Sequence, residues 1–449
     1  MDTEVRVRFP PSPTGYCHVG TARMAILNYL FAKKHGGKII FRSEDTDKER
    51  SKPEFETDII EQLHWLGLTW DEFYRTSELV ERHTAALAKL VAEDKAYVSE
   101  EESKKEPGKM MQIVRLRNPG TVVTFADEIR GNITFDTTEL KDFAIARAID
   151  DPLYHLAVVV DDADMSITHV IRGEDHISNT PRQILIQEAL GYERPVYAHY
   201  PLHLGFDKSK LSKRTGDVAV KSYREKGFLS EALLNYIAIL GWTPPSEREV
   251  MSLEEMIGEF DLKDLHKSGA VFDTEKLRWY NRQYLQRLTL DEFAAYTLPV
   301  LESILRERGI PYDQGMAQKL VPVIRERIDV AEDISALARG GEFDFFFVEP
   351  DLDVKNIPQK GISTEDTAKH LVAVYGLLTA VPADTFTEDV IKTAVWEYAE
   401  KEGRGAVLWP LRYVLSGRQK SPDPFTIVAC IGKEATLRRI TTAQKMLGV

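Results

Sequence analysis

The strongest constraint on how this chain folds lies between residues 5 and 42. "VRVRF" (5–9) alternates apolar and basic residues, the period of a strand. "RFPPSPTGYCHVGTAR" (8–23) continues as a proline-stiffened loop that runs into a histidine. In "TARMAILNYLFAKKHGG", Ala22, Ala25, Ile26, Tyr29 and Leu30 share one helical face, and Gly36-Gly37 ends the helix. "KIIFR" (38–42) reads as a second strand. Strand, loop, helix, strand predicts a βαβ unit, hence a parallel sheet of the nucleotide-binding type.

The middle of the chain repeats this signature. "LYHLAVVVDD" (153–162) and "ITHVIRG" (167–173) read as strands. "NTPRQILIQEALGY" reads as a helix capped by Thr180, with Pro181 in its first turn and Gly191 closing it. "RPVYAHYPLHLG" is a further strand leading into "FDKSKLSKRTGD". Between these halves, residues 76–150 form a separate block whose charged run "SEEESKKEPGK" reads as a solvated, mobile tip. From about residue 225 helical patterns dominate, as in "LSEALLNYIAILGW" and "TEKLRWYNRQYLQRL". The expected fold is an α/β core split by an insertion and followed by helical domains, with no repeat or low-complexity tract.

Bulk properties narrow the class. A chain of 449 residues exceeds one ordinary core, so several domains are expected. With 43% hydrophobic and 29% charged residues it is globular in composition, and no run approaches the length of a membrane helix. The start, "MDTEVRVRFP", has no apolar signal-peptide core. Cys17 and Cys430 are the sole cysteines, which fits a reducing cytoplasm and excludes a cysteine-rich zinc site. A net charge of -13 argues against indiscriminate polyanion binding, yet residues 401–449 carry nine Lys/Arg against three Asp/Glu. That local excess fits either a solvated basic face or a confined polyanion footprint.

Two short stretches carry chemistry. Pro11-Ser12-Pro13-Thr14-Gly15 and His18-Val19-Gly20-Thr21 sit at a strand-to-helix junction, where a helix N-terminus offers N–H groups and a positive dipole to an anion. Lys208-Ser209-Lys210-Leu211-Ser212-Lys213-Arg214-Thr215-Gly216 interleaves four cations with serines, the composition of a loop that clamps phosphates. Taken singly, the first is an ordinary turn-rich loop and the second an ordinary basic loop. Their order on either side of a split core is what makes them specific.

"PSPTGYCHVGTAR", "FRSEDTD", "VIRGEDHISNTPRQIL" and "KLSKR" together resemble the glutamyl-tRNA synthetases of bacterial class I type. His18 to Thr21 stand where the class has its HIGH signature, and Lys210 to Arg214 where it has KMSKS. The likeness extends to "LWPLRYVLSGRQKSPDPF" near the C-terminus. It implies a class I Rossmann-like parallel sheet, with catalytic halves at 1–75 and 151–225 split by an acceptor-binding α/β insertion at 76–150. A helical stem-contact domain (226–300) and an all-α anticodon-binding region (301–449) would follow. The implied activity joins L-glutamate to tRNA(Glu), with tRNA(Gln) as an alternative acceptor, using ATP with Mg²⁺. By the same resemblance the protein is a cytoplasmic monomer without membrane association.

The resemblance also implies residue roles. His18, Lys210 and Lys213 are the expected catalytic groups, and Gly20, Thr21 and Glu174 join them around ATP, with Asp175 and His176 in the same acidic segment. Glutamate carries two carboxylates and an ammonium, so its pocket needs two cations and one anion. Arg8, Arg172 and Glu44 fit that demand, with Ser12 and Tyr154 completing the pocket, and either arginine can take either carboxylate. Several relatives hold zinc in the insertion, but Tyr97-Val98-Ser99-Glu100 lacks the cysteines, so no zinc is expected. Cys17 stands where a bulky apolar residue is usual, and packing is its expected role. Rival readings are a truncated paralogue acting on a tRNA base, a glutaminyl-tRNA synthetase, a simpler HIGH-type nucleotidyltransferase, and a non-catalytic tRNA-binding protein. The helical, locally basic half after residue 225 and the intact His18 and lysine-loop positions disfavour them.

Overall fold

The structure is a computed structural model that describes residues 4–102, 108, 110–204 and 219–449. The chain divides into two compact units, Met1–Tyr284 and Leu285–Val449.

The first unit opens with β1 (Arg6–Phe9), α1 (Val19–Lys34), β2 (Lys38–Ser43), α2 (Pro53–Trp65), β3 (Glu72–Arg75) and α3 (Val80–Ala92). β1, β2 and β3 pair in parallel, with Arg8 opposite Ile40 and Ile40 opposite Glu72, so the βαβ expectation holds. α1 is buried well beyond one face, Leu27 and Phe31 included. It packs on β1, β2 and β10 (defined below) and also on the helices Ser230–Ile239 and Leu253–Glu259. A helix covered on two sides needs apolar residues around its girth.

The inserted block holds β4 (Ala96–Glu102), β5 (Met110–Leu116), β6 (Val122–Asp127), β7 (Gly131–Asp136), β8 (Phe143–Ala148) and β9 (Asp151–Pro152). β4, β5, β8 and β9 form an antiparallel sheet, and β6 and β7 a hairpin. Most of the expected charged tip, residues 103–107 and 109, lies outside the described residues. Beyond it come α4 (Tyr154–Asp164), β10 (His169–Gly173), α5 (Thr180–Leu190) and β11 (Val196–Tyr200). β10 and β11 pair in parallel with Arg172 opposite His199, and β6 adds to β11 through Tyr197 and Asp127. Thr168, just before β10, joins this sheet to β1: its N–H donates to Arg6 O at 3.0 Å, and Arg6 N–H donates to Thr168 Oγ1 at 2.8 Å. Chain order therefore reverses between β1 and β10, the place in such sheets where ligands bind at the strands' carboxyl ends.

Three local expectations are corrected. Residues 153–162, read as a strand, are helical as α4. Leu156 to Val160 are all buried, and a continuous apolar run has no periodicity by which to tell strand from helix. The helix also shortens the span from residue 154 to 162 from about 26 Å extended to about 12 Å. Second, the N-cap of α5 is Asn179 without a side-chain bond, and Thr180 is its first helical residue. Third, α1 begins at Val19 with His18 as its N-cap, two residues before the "TAR" where the periodic run starts.

Among its described residues, every regular element of the second unit is a helix. Its helices include Leu290–Glu307, Gln314–Arg327, Thr364–Ala380, Glu388–Glu402, Arg404–Ser416 and Pro424–Leu447, the last interrupted at Gly432. Thr289 and Glu292 form a reciprocal capping box at the first of these. No helix among the described residues is long and apolar enough to cross a membrane.

Candidate active site

A cavity of about 600 Å³ opens where β1, β10 and the N-terminus of α1 converge. Of the residues singled out from sequence, Arg8, Ser12, His18, Gly20 and Thr21 line it, as do Glu44, Tyr154 and Arg172. Glu174 does not. Its carboxylate accepts from Arg130 Nη2 at 2.5 Å and from Leu202 N–H at 3.0 Å, while the adjoining Asp175 and His176 face the cavity. Lys210 and Lys213, with the rest of 208–216, lie outside the described residues.

Arg8 is 1% exposed. Its Nε donates to Asp162 Oδ1 at 3.3 Å, and its Nη1 has no hydrogen-bond partner among the described residues. An orphaned buried guanidinium nitrogen is costly unless a ligand supplies the acceptor. Asp162 is shared with Arg42, whose Nη1 donates to it at 2.6 Å and whose Nη2 donates to Glu44 Oε1 at 3.1 Å. Burial works against ionisation of Asp162, but Arg8 and Arg42 outweigh it and hold the carboxyl below its usual range. Glu44 has the opposite balance: burial lifts it above 4.5 despite Arg42 and Arg8. A cation arriving beside Glu44 would favour its ionised form. Asp161 completes the layer by accepting from His83 at 2.6 Å.

Arg172 is 4% exposed and sits at the C-terminal end of β10. Its Nε donates to His199 Nε2 at 3.1 Å and its Nη2 to Thr180 Oγ1 at 2.8 Å. The guanidinium lies 5.7 Å from the centroid of Tyr197. His176 lies beside it, with Nδ1 3.3 Å from the Tyr154 hydroxyl. Burial, aided by Arg172, pushes His176 down to about 4 against Asp175, so the ring is neutral at physiological pH.

At the other end of the cavity, His18 folds over the start of α1. Its Nδ1 accepts from Gly20 N–H at 3.1 Å and Thr21 N–H at 3.2 Å, which puts the ring proton on Nε2. A Cβ at Gly20 would lie 3.0 Å from His18 Nδ1, so glycine there lets the ring lie down. Two N–H groups expected to face an anion directly are thus taken by the imidazole, whose Nε2–H carries the helix's positive end, with Nε2 3.3 Å from Thr21 Oγ1. At Gly173 a Cβ would come within 2.6 Å of Asp175 Oδ1. Cys17 is fully buried, its N–H donating to Asp58 Oδ2 at 2.8 Å. Burial pushes its thiol far above the ordinary range, which fits packing and not reactivity.

Sequence reading missed Arg23, Arg42, Asp127, Asp161, Asp162, Thr180 and His199 as parts of the site. Arg23 lines the cavity and donates to Pro201 O at 2.5 Å and Leu240 O at 2.9 Å. The aspartate pair closing "AVVVDD" was the one visible signal, since adjacent acids at the end of an apolar run call for buried cations. Among the described residues no group of three His, Cys, Asp or Glu could hold a metal ion.

A family model described as "tRNA synthetases class I (E and Q), catalytic domain" matches residues 4–106 and 98–279, and one for an "Anticodon binding domain" matches 281–444. The Glutamate--tRNA ligase of Heliobacterium modesticaldum is 38% identical over 99% of this chain and 98% of its own. That of Aquifex aeolicus is 39% identical over 98% of each. The crystal structure of a glutamate tRNA ligase from Elizabethkingia meningosepticum in complex with its amino acid superposes with a TM-score of 0.86 at 33% identity, covering 99% of this chain and 100% of that one. With residues 4–279 and 281–444 matched by the two family models and nearly its whole length by these relatives, the chain belongs to the glutamyl-tRNA synthetase family of class I.

Proposed function

We propose that the chain joins L-glutamate to tRNA in two steps at this cavity, the first of which consumes ATP. A glutamate carboxylate oxygen bonds to the α-phosphorus of ATP as the bond to the pyrophosphate oxygen breaks. A hydroxyl of the tRNA's 3'-terminal adenosine then attacks the acyl carbon, AMP leaves, and the hydroxyl proton passes to the departing phosphate. Neither step demands a protein nucleophile, so positioning and charge stabilisation are the protein's contribution.

The observation that carries this reading is the buried Arg8 Nη1 without a partner, in a cavity shared with Arg172 and Glu44. Arg8 and Arg172 take the two carboxylates, Glu44 the ammonium, and Ser12 and Tyr154 close the pocket. His18 donates from Nε2 to the phosphates at the head of α1, with Gly20 and Thr21 acting through that ring. Lys210 and Lys213 neutralise the charge of the leaving pyrophosphate. Asp175 and His176 line the nucleotide side, and Glu174 holds their segment through Arg130 and Leu202. Mg²⁺ arrives with ATP, held mainly by phosphates and water, and no zinc is required.

The domain assignments inferred from sequence go with this reading: catalytic halves at 1–75 and 151–225, an acceptor-binding insertion at 76–150, and stem-contact and anticodon-binding regions at 226–300 and 301–449. The acceptor is tRNA(Glu), with tRNA(Gln) as the alternative, and the protein acts as a cytoplasmic monomer. Charging of purified tRNA(Glu) and tRNA(Gln) with labelled glutamate, together with ATP–pyrophosphate exchange with and without tRNA, tests it. Glutamyl-tRNA(Glu) is the expected product. Absence of charging on both tRNAs would sink the proposal, and charging of tRNA(Gln) alone would select the alternative.

A further inference from the structure

Arg172 is anchored differently from Arg8 and Arg42 beside it; Arg23, on α1, bonds to the carbonyls of Pro201 and Leu240. Arg8 and Arg42 both bond to Asp162, whereas no carboxylate among the described residues lies within ion-pair distance of Arg172. Its hydrogen bonds go to an imidazole and a hydroxyl. The imidazole is itself tightly held. His199 Nδ1 lies 2.6 Å from Asp127 Oδ2, and His199 N–H donates to the same oxygen at 3.1 Å. Asp127 Oδ1 is fixed by Ile129 N–H at 3.1 Å and Arg130 N–H at 2.9 Å. Because Nε2 accepts from Arg172, the His199 proton sits on Nδ1 and faces Asp127. Burial keeps His199 below its ordinary range in spite of Asp127, so the ring remains the neutral acceptor that this geometry requires.

Resting on the glutamate reading above, we propose that His199, oriented by Asp127, is a positioning residue that presents Arg172 to a substrate carboxylate with its charge left uncompensated. A direct carboxylate partner would fix the guanidinium equally well but would satisfy the charge the substrate must meet. A neutral acceptor fixes the plane and leaves the cation. The device comes from three separate segments: β6 of the insertion supplies Asp127, β11 supplies His199, and β10 supplies Arg172.

The test compares His199→Phe, His199→Gln and Arg172→Ala by KM for glutamate, KM for ATP and kcat in tRNA charging, alongside Tm. Phenylalanine fits beside Phe125 and Tyr197, and Asp127 keeps its backbone donors. His199→Phe should raise the glutamate KM about 10- to 100-fold, in the range usual for loss of a supporting group. ATP KM and Tm should stay near wild type. His199→Gln places an amide oxygen close to the lost Nε2 and should recover most of the affinity. An unchanged glutamate KM in His199→Phe, with a sharply raised one in Arg172→Ala, would overturn the positioning role alone. A joint fall of kcat, ATP affinity and Tm in His199→Phe would mark a merely structural residue and overturn it too. An unchanged glutamate KM in Arg172→Ala would instead overturn the glutamate reading itself.

Discussion

Arg172 and Arg439 are buried to nearly the same degree, 4% and 5% exposed, one in each unit of the molecule. Their surroundings differ in kind. Arg439 donates through Nε to Glu349 at 3.0 Å, through Nη1 to Leu415 O at 2.6 Å, and through Nη2 to Phe345 O at 2.8 Å. Every nitrogen ends on the protein and one partner is an anion, so the side chain ties three segments of the helical unit together. Arg172 has neutral partners and a cavity in front of it. Burial of an arginine therefore says little about role, and what the protein leaves unsatisfied says more.

Substitutions should separate the two kinds. Arg8→Ala leaves Asp162 paired with Arg42 and removes an unpaired nitrogen, so Tm should hardly move. Glutamate kcat/KM should fall on the order of a thousandfold, as for removal of a buried charge partner. A drop in Tm with activity retained would reverse the assignment. Arg439→Ala orphans buried carbonyls and should cost about 3 kcal/mol, or roughly 6–12 °C in Tm for a unit of this size. Differential scanning calorimetry on the full chain checks this, and an unchanged melting profile would refute the tying role.

Glu44→Gln sharpens the contrast from the anionic side. A carboxyl group whose folded pKa is raised ionises more readily in the unfolded chain, so native stability falls as pH rises through the window above 4.5. Removing that ionisation should raise Tm of the ligand-free protein near neutral pH, while glutamate KM rises on the order of 100-fold through loss of the ammonium partner. In the unmodified protein, acidification into that same window protonates Glu44, and glutamate affinity should weaken. A lower Tm in Glu44→Gln at pH 7, with glutamate KM unchanged, would contradict both halves.

The sequence spoke clearly where chemistry is local. "VRVRF", the α1 face and "KIIFR" carry periods that strand and helix geometry impose, and β1, α1 and β2 formed there. Arg8 and Arg172 are legible through the resemblance and lie toward the ends of β1 and β10, whereas Arg23, on α1, is not. α4 was misread because a fully buried run loses its periodicity. The supports of Arg172 were invisible for a different reason. Asp127 and His199 are 72 residues apart in sequence and meet only because β6 adds to β11, a pairing that no local pattern encodes. The capping by His18 was hidden because histidine is an unusual N-cap and its ring reaches back over the helix only beside a glycine.

The central claim is that Arg172 serves a ligand and not the fold. Its most direct test is Arg172→Ala, measured for glutamate-dependent charging of tRNA and for Tm on the same preparation. Charging should be lost while Tm stays near that of the unsubstituted chain. Charging at the unsubstituted rate, or loss of activity only in step with loss of the folded state, would contradict it.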